Sequence, residues 1–373
     1  MSKEILLIGA GKIGEAIAVL LKGVSDYHLV VADRSETTLA RLHQQTGAET
    51  IVLDVYDDEA FEIAARGKFA LISASPFFLT EQIATMARKV GAHYLDLTED
   101  VKATKLVSDV AKDAPTAFIP QCGLAPGYIS IVTNDLASKF DSLETIRMRV
   151  GALPRFPTNA MKYNLTWSTE GLINEYCQPC DAIVDGQSVK ILPLEGLEEF
   201  ALDGVRYEAF NTSGGLGSMC QTYSNRVTTM DYRSVRYPGH NAVMKVLLQD
   251  LKLSKRRDLL KEILENAVPA TLQDVVLIFV TVSGTRNGRY LQEGYVSKIF
   301  DQEVNGWHLS AIQITTASAL LTVLDLLSSN VLKQRGFVRQ EDVDHQQFIA
   351  NRFGHYYDES MDSGQSKPLV AAE

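Results

Sequence analysis

The chain has 373 residues, of which 46% are hydrophobic and 22% charged, which is typical of a globular protein with room for two domains. The net charge is −10 and no basic stripe is present, so we expect neither nucleic acid nor an anionic membrane surface as a partner. No apolar run approaches the roughly 20 residues of a membrane span. The first strand leaves no room for a signal peptide, and four cysteines do not form a disulfide scaffold, so we expect a cytoplasmic protein.

The first predicted element is a buried strand, residues 5–8, which runs into the motif GAGKIG and then a helix. The motif has the spacing GxGxxG, in which Gly9 permits a tight turn and Gly11 lets the backbone approach a pyrophosphate. Gly14 allows the helix to pack against the strand, and the helix N-terminus attracts phosphate. An ordinary βαβ unit has similar turns, but this motif lies in the strand and helix context of a dinucleotide site.

The second predicted strand, residues 27–32, ends at Asp33, about 20 residues beyond the glycines, where a ribose-binding acid is expected. A carboxylate there accepts hydrogen bonds from ribose hydroxyls and repels a 2′-phosphate, which favours NAD. Arg34 is next to it and can pair with a 2′-phosphate, so NADP stays open.

Further strands alternate with helices in the first third of the chain, which predicts an α/β fold with a doubly wound parallel sheet. The predicted strands are 50–53, 70–74, 94–97 and 117–119, and the predicted helices are 35–45, 57–65, 80–90 and 102–112. Ligands bind at the carboxyl edge of such a sheet. We therefore expect the dinucleotide to contact Gly9, Gly11, Lys12, Ile13, Gly14, Asp33, Arg34, Asp54, Val55, Ala74, Ser75, Pro76 and Thr98. Asp54, at the end of the third strand, is well placed to meet the adenine amine, and the alternative is a solvated loop residue.

The pattern changes at the Gly/Pro loop 122–127, which predicts a crossing into a second domain. Three hairpin turns, Asp185-Gly186, Asp203-Gly204 and Asn287-Gly288, indicate an α+β domain with a mixed or antiparallel sheet. Helices are predicted over 129–139, 241–251 and 255–266, and a long apolar helix over 309–327 is expected to return to the first domain. The expected division is 1–125 for the dinucleotide domain, 126–310 for the substrate and dimerisation domain, and 311–373 for the returning helix and tail.

The pair Cys177 and Cys180 has the CxxC spacing of a zinc half-site or a redox couple. A structural zinc needs four ligands, and the remaining Cys122 and Cys220 form no second CxxC. We therefore interpret the pair as structural and expect no metal.

Six segments together resemble the saccharopine dehydrogenase-like oxidoreductases, which include saccharopine reductases, L-lysine 6-dehydrogenases and carboxynorspermidine dehydrogenases. They are GAGKIG at 9–14, LDVYD at 53–57, SASPFF at 73–78, GLAPGY at 123–128, TWSTEG at 166–171 and RYPGH at 236–240. The resemblance implies a homodimer that oxidises or reduces the CH–NH group of a lysine-derived amino acid with NAD or NADP.

Saccharopine dehydrogenase is the first activity implied, followed by L-lysine 6-dehydrogenase and carboxynorspermidine dehydrogenase. A non-catalytic dinucleotide-binding regulator is the alternative from another class. The intact TWSTEG and RYPGH segments argue against it.

The implied chemistry needs a general base for the amine and a cation for the substrate carboxylate. Glu99 follows the fifth predicted strand, although it could instead stabilise a helix N-terminus as a neighbour of the cap. Arg236 and Arg233 lie at odd spacing on one strand, so only one faces the cleft, and Arg236 is the one expected. With the resemblance, the catalytic candidates are Glu99, Lys162 and His240, and the substrate-binding candidates are Tyr163, Trp167, Ser168, Thr212, Arg236 and Tyr237. The alternative for these groups is ordinary packing, a solvated strand face or, for the loop at Thr212, a flexible turn.

Overall fold

A computed structural model describes residues 2–358 and contains a seven-stranded parallel sheet, with six strands from the first third of the chain and the seventh from near residue 336. The strands are β1 (Lys3–Ile8), β2 (Tyr27–Asp33), β3 (Glu49–Val52), β4 (Ala70–Ser73), β5 (His93–Asp96), β6 (Ala117–Ile119) and β17 (Gly336–Phe337). They lie in the order β17-β6-β5-β4-β1-β2-β3. The strand order reverses between β1 and β4, which is the position where such sheets bind a dinucleotide.

Five helices join these strands: α1 (Lys12–Leu21), α2 (Glu36–Thr46), α3 (Asp58–Ala65), α4 (Thr80–Val90) and α5 (Val101–Val110). Apolar side chains cover both faces of the sheet in two separate clusters. The predicted doubly wound parallel sheet is therefore confirmed. The seventh strand, β17, was not predicted, because two residues carry no periodic signal.

The second sheet is mixed and has eight strands. They are β7 (Ser142–Pro154), β8 (Cys180–Val184), β9 (Gln187–Ile191), β10 (Glu198–Leu202), β11 (Val205–Asn211), β12 (Val227–Arg236), β13 (Asp274–Arg286) and β14 (Arg289–Phe300). Strand β12 runs parallel to β7, and the other pairs are antiparallel. A small hairpin, β15 (Gln302–Val304) and β16 (Trp307–Leu309), follows.

The three predicted hairpin turns are present. Asp185, Asp203 and Asn287 have φ of 50°, 51° and 52°, and the glycine after each also has a positive φ. Two successive residues with positive φ are the requirement of a type I′ turn, which matches the twist of the flanking strands.

The remaining helices are α6 (Tyr128–Ala137), α7 (Thr169–Cys177), α8 (Met219–Tyr223), α9 (His240–Lys245), α10 (Arg257–Ala267), α11 (Ala311–Ser328) and α12 (His345–Ala350). The predicted helix over 241–251 is α9 followed by a wider π-helical turn, Val246–Asp250. Helix α7 was not predicted, because its short sequence has no clear apolar stripe.

Helix α11 packs against α1 of the first domain and against β13 of the second sheet. Its N-terminus is held by the buried Asp274, whose carboxylate accepts hydrogen bonds from the Ala311 and Ile312 amides. Among residues 2–358, α11 is the one helix long and apolar enough to cross a membrane, although 78% of it is buried inside the protein, as in a core helix.

Candidate active site

A cavity of about 530 Å³ lies between the carboxyl edge of the first sheet and the second domain. Helices α7 and α10 and the end of β12 form its far wall. The sequence-predicted residues that line it are Gly11, Lys12, Ile13, Ala74, Ser75, Pro76, Thr98, Glu99, Trp167, Ser168 and Arg236. The fold therefore brings residues from most of the chain to one place.

The glycine motif has the geometry of a dinucleotide site. A Cβ on Gly14 would lie 1.9 Å from the Gly9 carbonyl oxygen, and Gly9 itself has φ +109°. Gly11, by contrast, lies beside open space, with no heavy atom within 4 Å of a Cβ placed there. Since Gly11 opens α1 and lines the cavity, the space and the unpaired amides of the helix N-terminus fit a pyrophosphate.

Asp33 lies beside this loop at the end of β2. Its two carboxylate oxygens accept hydrogen bonds from the Ala10 and Ser35 amides, each at 2.9 Å. A carboxylate oxygen has a second lone pair, so both oxygens retain an acceptor site for a ribose hydroxyl. Arg34 is exposed, and no carboxylate lies within ion-pair distance of it in the part of the chain that the structure describes.

The predicted adenine-side residues lie farther along the same edge. Asp54 is exposed, and its Oδ1 accepts a hydrogen bond from the Tyr56 amide. Val55 is buried in the first-domain core. Neither lines the cavity, so the structure leaves their role in adenine binding as a prediction.

Glu99 occupies the loop between β5 and α5. The side chain that caps α5 is its neighbour Asp100, which accepts a hydrogen bond from the Ala103 amide at 2.8 Å. Glu99 lines the cavity instead, and burial raises the pKa of its carboxyl to about 7. A carboxyl group with this pKa can gain and lose a proton at neutral pH, as a general base must.

Arg236 lies on the far wall at the end of β12, with 3% of its surface exposed. Its Nη2 donates to Glu175 Oε1 at 3.0 Å, its Nε donates to the Tyr176 hydroxyl at 2.8 Å, and its Nη1 donates to the Val235 carbonyl at 2.8 Å. A guanidinium has five N–H groups, so two donors remain for a ligand. Arg233 points to the opposite face of the sheet, where it pairs with Glu198 and Asp231, which is the alternation that the strand predicts.

Glu175 is a site residue that the sequence reasoning missed. It is carried by α7, lines the cavity and pairs with Arg236. Burial raises the pKa of Glu175 to about 7, although Arg236 opposes that rise, and the nearby Glu99 adds to it. The TWSTEG segment is the signal that could have revealed Glu175. If a helix had been predicted from its Thr169 onward, Glu175 would have been placed on that helix, close to the segment.

The glycine-rich loop 212–215 packs against the backbone of both Glu99 and Glu175. The Ser213 amide donates to the Glu175 carbonyl at 2.9 Å, and a Cβ on Gly214 would lie 2.7 Å from the Glu99 carbonyl oxygen. Thr212 is buried and its hydroxyl hydrogen-bonds Ser234 at 2.8 Å. Thr212 does not line the cavity, whereas Ser213 and Ser234 do, so the predicted role of Thr212 in substrate binding stays a prediction.

Four other predicted site residues do not line the cavity, so the structure does not support their predicted roles, which stay predictions. His240 is fully buried behind Arg236, between the Met161 carbonyl and the Tyr176 hydroxyl, and burial lowers its pKa to about 3. Lys162 is exposed and donates to the Pro238 carbonyl. Tyr163 packs its ring 5.3 Å from the Arg236 guanidinium carbon, and Tyr237 donates to the Pro154 carbonyl. None of these four side chains lines the cavity. Tyr163 instead packs against Arg236, and His240 contacts the Tyr176 hydroxyl that accepts a hydrogen bond from Arg236.

The mouth of the cavity has charged residues that the sequence reasoning also missed. Lys261 and Glu265 project from α10, and Lys261 lies 3.6 Å from the Glu170 carboxylate. Trp167 is half-buried and also lines the cavity, and Gly171 makes room for its ring, since a Cβ on Gly171 would lie 2.4 Å from it. The indole therefore packs against the start of α7 at the cavity wall.

The CxxC pair takes no part in this site. All four cysteines are free thiols. Cys180 is buried, and this burial raises the pKa of its thiol to about 12. Within residues 2–358, no cluster of three or more His, Cys, Asp or Glu side chains could hold a metal ion.

Comparison with protein families matches nearly the whole chain. Residues 5–118 match the model described as saccharopine dehydrogenase NADP binding domain, and residues 123–355 match saccharopine dehydrogenase C-terminal domain. The fold and the cavity define a dinucleotide-binding oxidoreductase. More particularly, the chain belongs to the saccharopine dehydrogenase family.

Individual relatives are distant. Saccharopine dehydrogenase [NADP(+), L-glutamate-forming] of Saccharomyces cerevisiae is 22% identical over 179 residues, which are 46% of this chain and 40% of the relative. The mitochondrial alpha-aminoadipic semialdehyde synthase of Bos taurus is 21% identical over 314 residues, 80% of this chain and 33% of the relative. The matches thus span 40% or less of these relatives.

One solved structure shares the fold throughout. It is apo saccharopine dehydrogenase (L-Glu forming) from Saccharomyces cerevisiae, with a TM-score of 0.75, 16% sequence identity, and coverage of 91% of this chain and 94% of that one. At this identity the likeness establishes the fold alone.

Proposed function

We propose that the chain is a pyridine-nucleotide-dependent dehydrogenase that acts on the CH–NH group of a lysine-derived amino acid. The observation that carries the proposal is the juxtaposition of Glu99, Glu175 and Arg236 in the cavity that the dinucleotide loop opens into. A bound nicotinamide supplies the hydride acceptor or donor. The protein supplies a base, a carboxylate-binding cation and exclusion of water.

Each of these tasks has a residue. Glu99 takes a proton from the substrate amine, releases it to solvent, and later takes a second proton from the water that attacks the C=N carbon. Arg236 offers its remaining donors to the α-carboxylate, and its pairing with Glu175 fixes the guanidinium plane. Trp167 shields the reacting carbon from bulk water.

We propose that NAD is the preferred dinucleotide, although the matched family model is described as NADP binding. The support is Asp33, whose carboxylate is fixed beside the glycine loop by two backbone amides. A fixed negative charge there repels a 2′-phosphate and accepts the ribose hydroxyls. The exposed Arg34 is the group that would favour NADP.

Replacing Asp33 with alanine is expected to weaken NAD binding roughly tenfold, about the effect of a lost hydrogen bond to a charged group, and to leave NADP binding unchanged or stronger. Titration of the intrinsic fluorescence with each reduced dinucleotide measures both affinities. The matched variant is Arg34→Ala, which should weaken NADP and spare NAD. A wild-type protein that binds NADP more tightly than NAD would overturn the proposed preference.

The proposed activity is tested by following nicotinamide absorbance with saccharopine, L-lysine and carboxynorspermidine, each with NAD and with NADP. Saccharopine is included because the relatives are named for it. Reduction of a dinucleotide by at least one of these amines supports the proposal. A chain that binds the dinucleotide tightly but reduces it with none of them would instead be a dinucleotide-binding regulator.

A further inference from the structure

Asp96 is a buried acid outside the proposed chemistry. It is the last residue of β5, at the carboxyl edge of the parallel sheet, and 1% of its surface is exposed. Within residues 2–358, no lysine, arginine or histidine pairs with its carboxylate, and burial raises the pKa of that carboxyl to about 6. A carboxylate buried without a cation is costly unless hydrogen bonds satisfy it, so its partners indicate its role.

Three hydrogen bonds satisfy the Asp96 carboxylate. Its Oδ1 accepts from the Thr98 amide at 3.0 Å and from the Gln121 amide at 2.9 Å. Its Oδ2 accepts from the Tyr94 hydroxyl at 2.8 Å. Thr98 belongs to the loop between β5 and α5, and Gln121 follows β6. One carboxylate oxygen therefore joins two of the loops that lead from the first sheet to the cavity.

The second of these loops is held at a strained residue. Gln121 has φ of +65°, a conformation that costs free energy for a residue with a Cβ and that persists only where the surroundings hold it. The backbone carbonyl of Asp96 accepts a further hydrogen bond from the Cys122 amide at 2.8 Å. The crossover 123–126, which lines the cavity, follows directly.

The first loop carries Glu99, and its backbone is fixed on both sides of that residue. Thr98 is bound to Asp96 through its amide, and its hydroxyl accepts a hydrogen bond from the Asp100 amide at 3.2 Å. On the other side, a Cβ on Gly214 would lie 2.7 Å from the Glu99 carbonyl oxygen. The loop therefore has little room, and its attachment to Asp96 sets where the Glu99 carboxyl lies.

We propose that Asp96 is a positioning residue, which holds Glu99 at the cavity and ties its loop to the crossover into the second domain. Asp96 does not line the cavity, so it acts through Glu99 and not on the substrate. This proposal rests on the proposed function and deepens it.

The charge of Asp96 gives it an effect that a purely structural residue lacks. Burial is the largest cause of the raised pKa of Glu99, and nearby acids add to it. Those acids are Asp100, Asp96 and Glu170, and the charge of Glu99 acts in turn on Glu175, which pairs with Arg236. Removing the charge of Asp96 therefore favours the ionised form of Glu99 and lowers the pKa of Glu99.

The titratable groups beside Asp96 do not complicate this effect. They are the Tyr94 hydroxyl and the Cys122 thiol, and burial raises the pKa of both well above the ordinary values. Both groups are therefore neutral over the pH range in which Glu99 titrates.

Asp96→Asn separates position from charge, because the asparagine oxygen can accept from both amides and its NH₂ group can donate to the Tyr94 hydroxyl. The measurement is a pH titration by NMR of the full chain labelled with ¹³C at the glutamate carboxyls, with the Glu99 signal identified by its loss in Glu99→Gln. We expect the Glu99 midpoint to move to lower pH by roughly half a unit in Asp96→Asn. The rise of kcat/KM for amine oxidation should move with it.

The matched control is Asp274→Asn. Asp274 is equally buried, and burial raises the pKa of its carboxyl to about 6 as well, but it holds the start of α11 and does not line the cavity. Asp274→Asn should lower the melting temperature and leave the Glu99 midpoint unchanged.

Asp96→Ala removes the attachment itself and should lower kcat for oxidation by roughly tenfold or more at every pH, the scale of effect expected when a reacting group is misplaced. Asp96→Asn should restore most of that rate. An undiminished kcat in folded Asp96→Ala would overturn the proposal, as would an unmoved Glu99 midpoint in Asp96→Asn or an equal shift in Asp274→Asn. If Asp96→Ala does not fold, the midpoint in Asp96→Asn decides.

Failure of the proposed function would be seen separately. A wild-type chain that oxidises none of the amines would overturn that function, whereas the NMR titration needs no substrate and still shows whether Asp96 acts on Glu99.

Discussion

Replacing Glu99 with glutamine is expected to lower the rate of amine oxidation by about 100-fold or more, the usual contribution of a general base, while the affinity for the dinucleotide stays unchanged. Glutamine keeps the size of the side chain but cannot accept the amine proton. Stopped-flow measurement of nicotinamide reduction, together with dinucleotide titration, separates these two effects. An undiminished rate in Glu99→Gln would show that another group is the base.

The pH dependence gives a second readout of Glu99. Burial raises its pKa to about 7, and the base must be ionised, so kcat/KM for oxidation should rise with pH through about 7. Glu175 has a similarly raised pKa and responds to the charge on Glu99, so the profile describes the pair. Glu99→Gln should remove the part of this rise that belongs to the base. The exposed Glu81 on α4 provides the control, and Glu81→Gln should keep the wild-type profile.

Replacing Arg236 with lysine is expected to weaken substrate binding by roughly 1–3 kcal/mol, the range for a hydrogen bond to a charged group. Lysine keeps the positive charge but loses the planar fork, which donates to Glu175, Tyr176 and the Val235 carbonyl. Without this fixed geometry the remaining donors cannot meet both oxygens of a carboxylate. Calorimetric titration of the substrate into the protein with reduced dinucleotide measures the loss.

Arg233→Lys is the matched control, since Arg233 is on the same strand but pairs with Glu198 and Asp231 on the opposite face. It should leave substrate affinity nearly unchanged. A larger loss from Arg233→Lys than from Arg236→Lys would show that the substrate binds on the other side of the sheet. Circular dichroism of both variants distinguishes a binding defect from unfolding, because Arg236 is deeply buried.

The first domain could be predicted closely from the sequence because its signals are local. The buried strand, the GxGxxG turn and Asp33 lie within 30 residues of one another, and the structure places Asp33 beside the loop. Hairpin turns in the second domain are equally local, since two residues with positive φ specify them. Strand alternation also predicted that Arg233 and Arg236 face opposite sides of the sheet, as the structure has them.

The rest of the site depends on contacts between distant segments. Glu175 lies on a helix with no strong periodic pattern and meets Arg236 only through the tertiary fold. His240 was expected to be catalytic because its residue type suits proton transfer, yet the fold buries it behind Arg236. Lys261 and Glu265 reach the mouth from α10, almost 100 residues after Glu170 in the sequence. Residue type identifies candidates, but the burial of each side chain and the direction in which it points decide which of them reach the cavity.

The central claim is that a hydride passes between an amine-bearing carbon and a dinucleotide in the Glu99 cavity. The most direct measurement uses L-lysine carrying deuterium on the terminal amine-bearing carbon, with saccharopine labelled at its secondary-amine carbons in parallel, and analyses the reduced dinucleotide by mass spectrometry and NMR. The account predicts deuterium in the reduced nicotinamide ring from at least one substrate, with transfer strongly slowed in Glu99→Gln. Absence of label from the nicotinamide with both substrates, in protein shown to bind the dinucleotide, would contradict it.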